Sequence, residues 1–397
     1  MGEAAGGAPQ PLAGIKVLDM SRVFAGPVAG RVLSDLGADV VKVEPPEGDI
    51  TRLWGRKAAG LSTYYVQQNV GKRNISIDLR AEGGAELVKR LVAESDIVIE
   101  NFRPGIMARF GIDYESLKAV KPDLVMVSIS GFGQTGPEAQ RAAYAAILHG
   151  EAGAIKVPAV PSESRDVSFS AADVMSGLHG VIGLLAALRV RDQTGIGQHV
   201  DIAMMDVMTF SSDGNQAIID DAGHEPRGGQ VFDAVGGPIL MSGEVRWFWH
   251  QLSNIQGLQD PGAKDRPVEQ KKADRRDLIE EWMMAQPDRA TLTRKLDEAN
   301  LAWGNLRELG NVLESPTIQH RDTVATIDNR DGGTRNVIRS PYVMSESATR
   351  EPGGIAVRGE HNHDVLVDWL GASLTDVDGL IADGVLVRDE WAERLDE

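Results

Sequence analysis

The feature that most narrows the fold lies near the start of the chain. Residues 14–20 form an apolar strand, 21–26 a turn, and a helix follows with Val28, Val32, Leu33 and Leu36 at helical spacing. Gly37 stops that helix, and residues 39–44 supply a second strand. Strand, helix and strand in so short a space form a right-handed parallel βαβ unit. Pro27 suits the first helical position, where its missing N–H is no loss. The pattern recurs: residues 82–94 read as a helix, 96–100 as a strand and 114–120 as a short helix. Residues 124–129 are apolar enough for a strand buried on both faces. The expectation is a doubly wound α/β domain.

At 397 residues the chain exceeds one ordinary core. We expect a disordered tail at 1–10, a large domain over 11–222, a small domain over 223–340, and a segment at 341–397 that returns to the large domain. A long helix starts near Ala171 and runs to about Val190. Residues 198–202 then read as a strand, with a helix near 204–211. The glycine-rich stretch 223–243 marks a change to a mostly helical, strongly charged pattern, as in 269–284 and 288–299. An amphipathic helix pair, 362–370 and 375–383, ends the chain.

A net charge of −17 argues against nucleic acid, which needs a basic face. It leaves room for a small anion in a local basic pocket. With no cysteine, disulfides, thiolate metal sites and a Cys nucleophile are excluded. The first ten residues lack the basic and apolar regions of a signal peptide. The longest continuous apolar run, 181–188, is too short for a bilayer. The reading is a cytoplasmic chain with no membrane anchor.

The turn after the first strand lacks GxGxxG, and no phosphate loop, HExxH or GxSxG occurs. Glu44 ends the second strand where a dinucleotide fold would hold a ribose, but a solvated strand end explains it as well. Asp173 opens the long apolar helix. It suits an ordinary first-turn acid, and it equally suits a nucleophile, because a helix entrance lowers a carboxylate's pKa. Small neighbours at Ala171, Ala172, Ser176 and Gly177 leave space for a ligand. Residues 101–105 (NFRPG) and 131–137 (GFGQTGP) follow strands at the ends where open α/β sheets bind ligands. Each is also an ordinary turn. His361 and His363 form an HxH pair with no carboxylate cluster, so a loop or cap is the reading and no metal is expected. His149 and His179 read as core or rim residues, and Trp247 and Trp249 as packing in the small domain.

The segments PLAGIKVLDMSRVFAGPVAGRVLSDLGADVVKVEPPEGD, NVGKRNISIDL, SDIVIENFRPG, SISGFGQTGP, ADVMSGLHGVIGLLAAL and TGIGQHVDIAMMD together resemble class III CoA-transferases, the CaiB/BaiF family. The resemblance is dense over about residues 11–210 and returns at 359–366. It implies a Rossmann-like doubly wound large domain plus a smaller α/β domain, in an interlocked homodimer. It implies transfer of coenzyme A from an acyl-CoA to a carboxylic acid, with the CoA thioester as substrate and no tightly bound cofactor. Asp173 then matches the nucleophile, forming an acyl anhydride and an aspartyl-CoA thioester. Val23, Phe24, Ala25, Asn101 and Phe102 match CoA-contacting positions, as do Trp54, Tyr64, Lys72, Arg73, Arg109 and Met204. Gly131, Phe132 and Gly133 would offer backbone donors to oxyanions, and Gly228 with Gly229 is a partial candidate for the lid.

Phe24 and Phe132 replace a Gln and a Tyr of the formyl-transferring members. The racemase branch carries a His–Asp stretch where this chain has Arg141-Ala-Ala-Tyr-Ala145. An acyl-CoA isomerase or racemase on this scaffold is the alternative, and a non-catalytic CoA-binding scaffold is a third reading.

Overall fold

The computed structural model describes residues 8–58, 60–155, 169–212, 214–221, 229–260, 266–330 and 332–389. Gly228 and residues 1–7 of the expected tail lie outside them. Six strands make one parallel sheet: β1 (Lys16–Asp19), β2 (Asp39–Glu44), β3 (Arg73–Ser76), β4 (Ile97–Glu100), β5 (Val125–Ser130) and β6 (Gln198–Ala203). Their spatial order is β3-β2-β1-β4-β5-β6, with every pair parallel. Strand direction of growth reverses between β1 and β4, and the crevice at that reversal is where such sheets hold ligands.

The apolar side chains of the central strands alternate between two cores. Val17, Val40, Ile97, Val125 and Val127 enter one; Leu18, Val41, Val98 and Met126 enter the other. The connections hold α1 (Ala25–Asp35), α2 (Thr63–Asn69), α3 (Gly84–Ala93), α4 (Ile106–Arg109), α5 (Tyr114–Val120), α6 (Ala145–Glu151), α7 (Ala171–Thr194) and α8 (Met204–Phe210). Helices α1, α6, α7 and α8 close the first core, while α3, α4 and α5 close the second. Pro27 is the third residue of α1 rather than the first, still within the turn whose N–H groups lack helical partners.

Helix α7 sits unusually deep. A Cβ on Gly177 would lie 2.6 Å from the Ala25 carbonyl oxygen, and one on Gly183 would lie 2.7 Å from Val200 Cγ1. Only glycine at both positions lets α7 rest directly on α1 and on β6. At 24 residues α7 is long and apolar enough to cross a membrane by length and composition, more than the continuous run at 181–188 implies. Half of that apolar window is buried inside the protein.

Two compact units divide the chain. One comprises the described residues up to Ser212 together with those from Arg321 onward; the other is Gly214–His320. The second unit holds α9 (Asn215–Ile219), β7 (Gly229–Phe232), β8 (Ile239–Ser242), α10 (Val245–Gln256), α11 (Val268–Met284), α12 (Arg289–Glu298), β9 (Trp303–Asn305) and α13 (Pro316–His320). Its antiparallel sheet runs β9-β8-β7. Phe232, Met241, Phe248, Trp249, Ile279 and Leu292 form its core, while Trp247 is exposed.

The hairpin β10 (Val324–Asp328) and β11 (Thr334–Ile338) falls within residues 223–340, which the sequence reading gives to the small domain. It packs in the first unit instead: Ala325, Ile327 and Val337 bury against Leu61, Tyr65 and Val66. Helices α14 (Asn362–Leu370) and α15 (Leu374–Ala382) close the second core of the large sheet through Val365, Trp369 and Val377.

Two expected ligand contacts are structural. Lys72 is buried, and its ammonium donates to Asp19 Oδ2 (2.8 Å), the Pro27 carbonyl (2.9 Å) and Asn69 Oδ1 (3.0 Å). All three N–H donors are engaged, so none is left for a phosphate. Burial pushes this ammonium down to about 8 despite the neighbouring Asp19. Arg73 opens β3 and pairs with Asp39, the first residue of β2, and with Asp368. It therefore serves the edge of the sheet opposite the ligand crevice. Lys72→Ala leaves Asp19 buried without its partner and is expected to cost about 3–5 kcal/mol. Arg73→Ala is expected to cost at most about 1 kcal/mol. Urea unfolding of the two variants checks the contrast.

Candidate active site

The turn after β1 is held by side chains from two other segments. Asn101, just past β4, accepts the Arg22 N–H on Oδ1 and donates Nδ2 to the Arg22 carbonyl, both at 2.7 Å. Asp49 Oδ2 accepts the Val23 N–H at 3.0 Å. Val23 is forced to φ +70°, a conformation that a β-branched residue rarely adopts and that costs on the order of 1–3 kcal/mol. Asp49 is itself anchored, because its N–H donates to Glu44 Oε2. Glu44 is not a solvated strand end. It is buried and accepts from Arg52 twice, from the Tyr65 hydroxyl and from Asn74. Burial works against its charge, but the Arg52 guanidinium outweighs burial and holds the carboxyl down to about 2.

Beside this turn lies a cavity of ≈ 170 Å³ at the strand reversal. Val23 and Ala25 from the first turn line it, with Asn101 and Phe102 after β4 and Gly131 after β5. Asp173 from α7 and Met204 from α8 complete the set. These seven come from separate sequence motifs and meet at one place. Phe24, Tyr64 and Trp54 form an aromatic group nearby, with ring centroids 5.3 Å and 5.5 Å apart in that order. Burial pushes the Tyr64 phenol up to about 12, with the Asp173 charge adding to it.

Asp173 is half-buried, and no donor among the described residues bonds its carboxylate. Burial pushes that carboxyl up to about 6, opposite to the lowering expected at a helix entrance. The reason is visible in the first turn of α7. The Ala171 N–H donates to the Phe169 carbonyl, that of Ala172 to His149 Nε2, and that of Val174 to the Ser170 carbonyl. The carboxylate is therefore desolvated without gaining those donors. At pH 7 it is still mostly ionised and carries free lone pairs.

Other expected residues lie elsewhere. Arg109 is exposed at the end of α4 and does not border the cavity. Phe132 packs against the first core beneath the Arg141 guanidinium, and Gly133 is buried near Ala203. Gly229 is a strand residue paired with Ser242, where a Cβ would meet Leu240 at 2.6 Å. His361 accepts the Asn74 N–H on Nδ1 while His363 pairs with Asp378, so the two rings face different partners. Among the described residues, no group of three or more His, Asp or Glu could hold a metal ion.

The sequence reading missed three features. Ser130 lines the cavity with a buried hydroxyl that has no partner among the described residues. Arg22 also lines it, with a buried Nε that lacks a partner among the described residues. A second cavity of ≈ 390 Å³ shares the Arg22, Phe102 and Arg103 walls and adds Ile77, Leu79 and Arg80. Residues 77–80 follow β3 just as 101–105 follow β4, so the rule that flagged one segment also pointed to the other.

A carboxyl raised by folding binds its proton more tightly in the folded state. Asp173 therefore lowers stability as pH rises from about 4 to above 6. Relative to Asp173→Asn, the wild type is expected to lose up to about 2 kcal/mol between pH 4 and pH 8. Urea melts at the two pH values measure the difference.

Comparison with known proteins adds independent findings. The family model described as CoA-transferase family III matches residues 12–362. The chain is 34% identical to the succinate–glutarate CoA-transferase of Agrobacterium fabrum, over 90% of this chain and 95% of that protein. It is 31% identical to the succinyl-CoA–D-citramalate CoA-transferase of Chloroflexus aurantiacus, over 95% and 98%. Among solved structures it is similar to a CaiB/BaiF family protein from Brucella suis, with a TM-score of 0.78 at 33% identity, covering 91% of this chain and 100% of that one.

Proposed function

The chain belongs to CoA-transferase family III and is an acyl-CoA:carboxylate CoA-transferase; on that premise we propose that Asp173 is its nucleophile and that small dicarboxylic acids are its substrates. The observation that carries the reading is a half-buried carboxylate, with no donor among the described residues, that lines a cleft at the strand reversal beside a second cavity on the same walls.

The Asp173 carboxylate attacks the thioester carbonyl, the C–S bond breaks, and CoA leaves as thiolate from an aspartyl–acyl anhydride. The thiolate attacks the Asp173 carbonyl carbon, which releases the donor acid as carboxylate and leaves an aspartyl-CoA thioester. The acceptor carboxylate attacks that thioester and again expels thiolate, which takes the new acyl group and restores Asp173. Every step exchanges one carboxylate or thiolate for another, so no net proton or ATP is required. The Ser130 hydroxyl and backbone N–H groups at Gly131 are the proposed donors to the oxyanions.

Three arginines, Arg22, Arg103 and Arg141, border the cleft of a chain that is acidic overall. Arg141 is already paired with Glu138 and Glu151, whereas the Arg22 Nε is unmatched among the described residues. Arg22 therefore suits the second carboxylate of a dicarboxylic acid. The names of the Agrobacterium and Chloroflexus relatives agree with that substrate class. Arg80 and Arg103 border the second cavity, which suits the nucleotide end of CoA. No tightly bound cofactor is part of the reading, and a CoA thioester substrate fits a cytoplasmic enzyme.

Racemisation needs a base beside Asp173. His149 engages its Nε2 with the Ala172 N–H, which favours CoA transfer. Leu178, Ile182 and Leu185 form an exposed apolar row on α7, which favours burial against a second copy in a homodimer.

Asp173→Ala is expected to fold and keep its oligomeric state in light scattering, while kcat falls at least about 10³-fold. Wild type given acyl-CoA and then hydroxylamine should yield a mass-shifted Asp173 peptide. An alanine variant with undiminished turnover contradicts the assignment. Arg22→Ala is expected to raise KM about tenfold for a dicarboxylic acceptor but not for its monocarboxylic analogue.

A further inference from the structure

We propose that His149 is the positioning residue for the nucleophile: its imidazole closes the amino end of α7 and thereby fixes the backbone that carries Asp173. The inference rests on the reading that Asp173 attacks the thioester.

A helix start leaves N–H groups without helical partners, and a Ser, Thr, Asp or Asn at the N-cap ordinarily accepts from one of them. Ser170 holds that position in α7, yet its side chain makes no capping bond. The Ala172 N–H is met instead by His149 Nε2 at 3.1 Å, from a residue 23 positions earlier in α6.

The imidazole is well placed for the task. His149 is only 4% exposed, so its ring is held by packing. Its carbonyl accepts the N–H groups of Ala154 (2.9 Å) and Ile155 (3.3 Å), which tie down its backbone as well. To accept on Nε2 the ring must be neutral with its proton on Nδ1. Burial lowers its pKa and so favours that neutral form.

Ala172 directly precedes Asp173, so pinning the Ala172 N–H sets the first-turn geometry from which the carboxylate projects. The same bond removes an N–H that would otherwise compete for the carboxylate's lone pairs. No serine or asparagine at residue 149 would do this equally well, because their polar atoms stop short of the distance an imidazole Nε2 reaches from its backbone.

Two substitutions separate positioning from packing. His149→Gln keeps an acceptor near the place of Nε2, while His149→Met fills the volume without one. The Gln variant is expected to hold kcat within about threefold of wild type. The Met variant is expected to lose about 10- to 100-fold in kcat, with KM for acyl-CoA within about twofold. Hydroxylamine trapping of Asp173 should slow in step with kcat. If the Met variant does not fold, His149→Asn, whose shorter amide falls short of Ala172, takes its place with the same expected loss. Wild-type kcat in the Met variant, or equal losses in Gln and Met, overturns the role of His149. Absence of acylated Asp173 in the wild type overturns the nucleophile reading itself, and normal wild-type acylation with unslowed acylation in the Met variant overturns only the inference drawn here.

Discussion

The site depends on a contact that leaves no room for a side chain. Helix α7 meets α1 where the Gly177 backbone faces the Ala25 carbonyl, and any Cβ there would lie at 2.6 Å. Ala25 also borders the cavity, and Asp173 lies one helical turn before Gly177. The glycine therefore sets the distance between the carboxylate and the strained turn after β1. A larger residue would lift the start of α7 away from the strand reversal, and the cleft would open even if the sheet remained intact.

Around that contact the molecule divides its charges into two kinds. Asp19, Lys42, Glu44, Asp49 and Lys72 are buried together beneath the turn, with the half-buried Arg52 beside them, each with opposite or hydrogen-bonding partners. Burial raises Asp19, but Lys72 and Lys42 outweigh it and hold the carboxyl below its ordinary range. Through Asp49, which accepts the Val23 N–H, this group holds Val23 at φ +70°. Asp173 is the opposite case: it is partly desolvated, raised to about 6 and unpartnered among the described residues. A desolvated carboxylate without a partner beside a cavity is a mark of a candidate reactive centre.

Much of this was legible in the sequence, for identifiable reasons. A strand buried on both faces is apolar along its length, so 124–129 stood out, and the βαβ pattern from 14 to 44 gave the order of the first units. Residues 23, 101 and 173 were legible because they end strands or begin a helix on the ligand side of such a sheet. Charged residues were harder. Lys72 looks like a phosphate ligand until its partner Asp19, 53 residues away, is known. The direction of the Asp173 shift depends on His149 and Ser170 taking the helix N–H groups, which no local pattern records. The hairpin at 324–338 was misplaced because its charged turn resembles the small unit, while its packing on Leu61 and Tyr65 is a long-range fact.

The central claim is that an oxygen of Asp173 is exchanged with substrate in each catalytic cycle. It is tested most directly by turning the enzyme over with an acceptor acid labelled with oxygen-18 in its carboxylate, then measuring the mass of the Asp173 peptide. The bridging oxygen of the second anhydride stays with the aspartate, so that peptide should gain heavy oxygen as turnover proceeds and no other peptide should. An unlabelled Asp173 after many cycles would contradict the account.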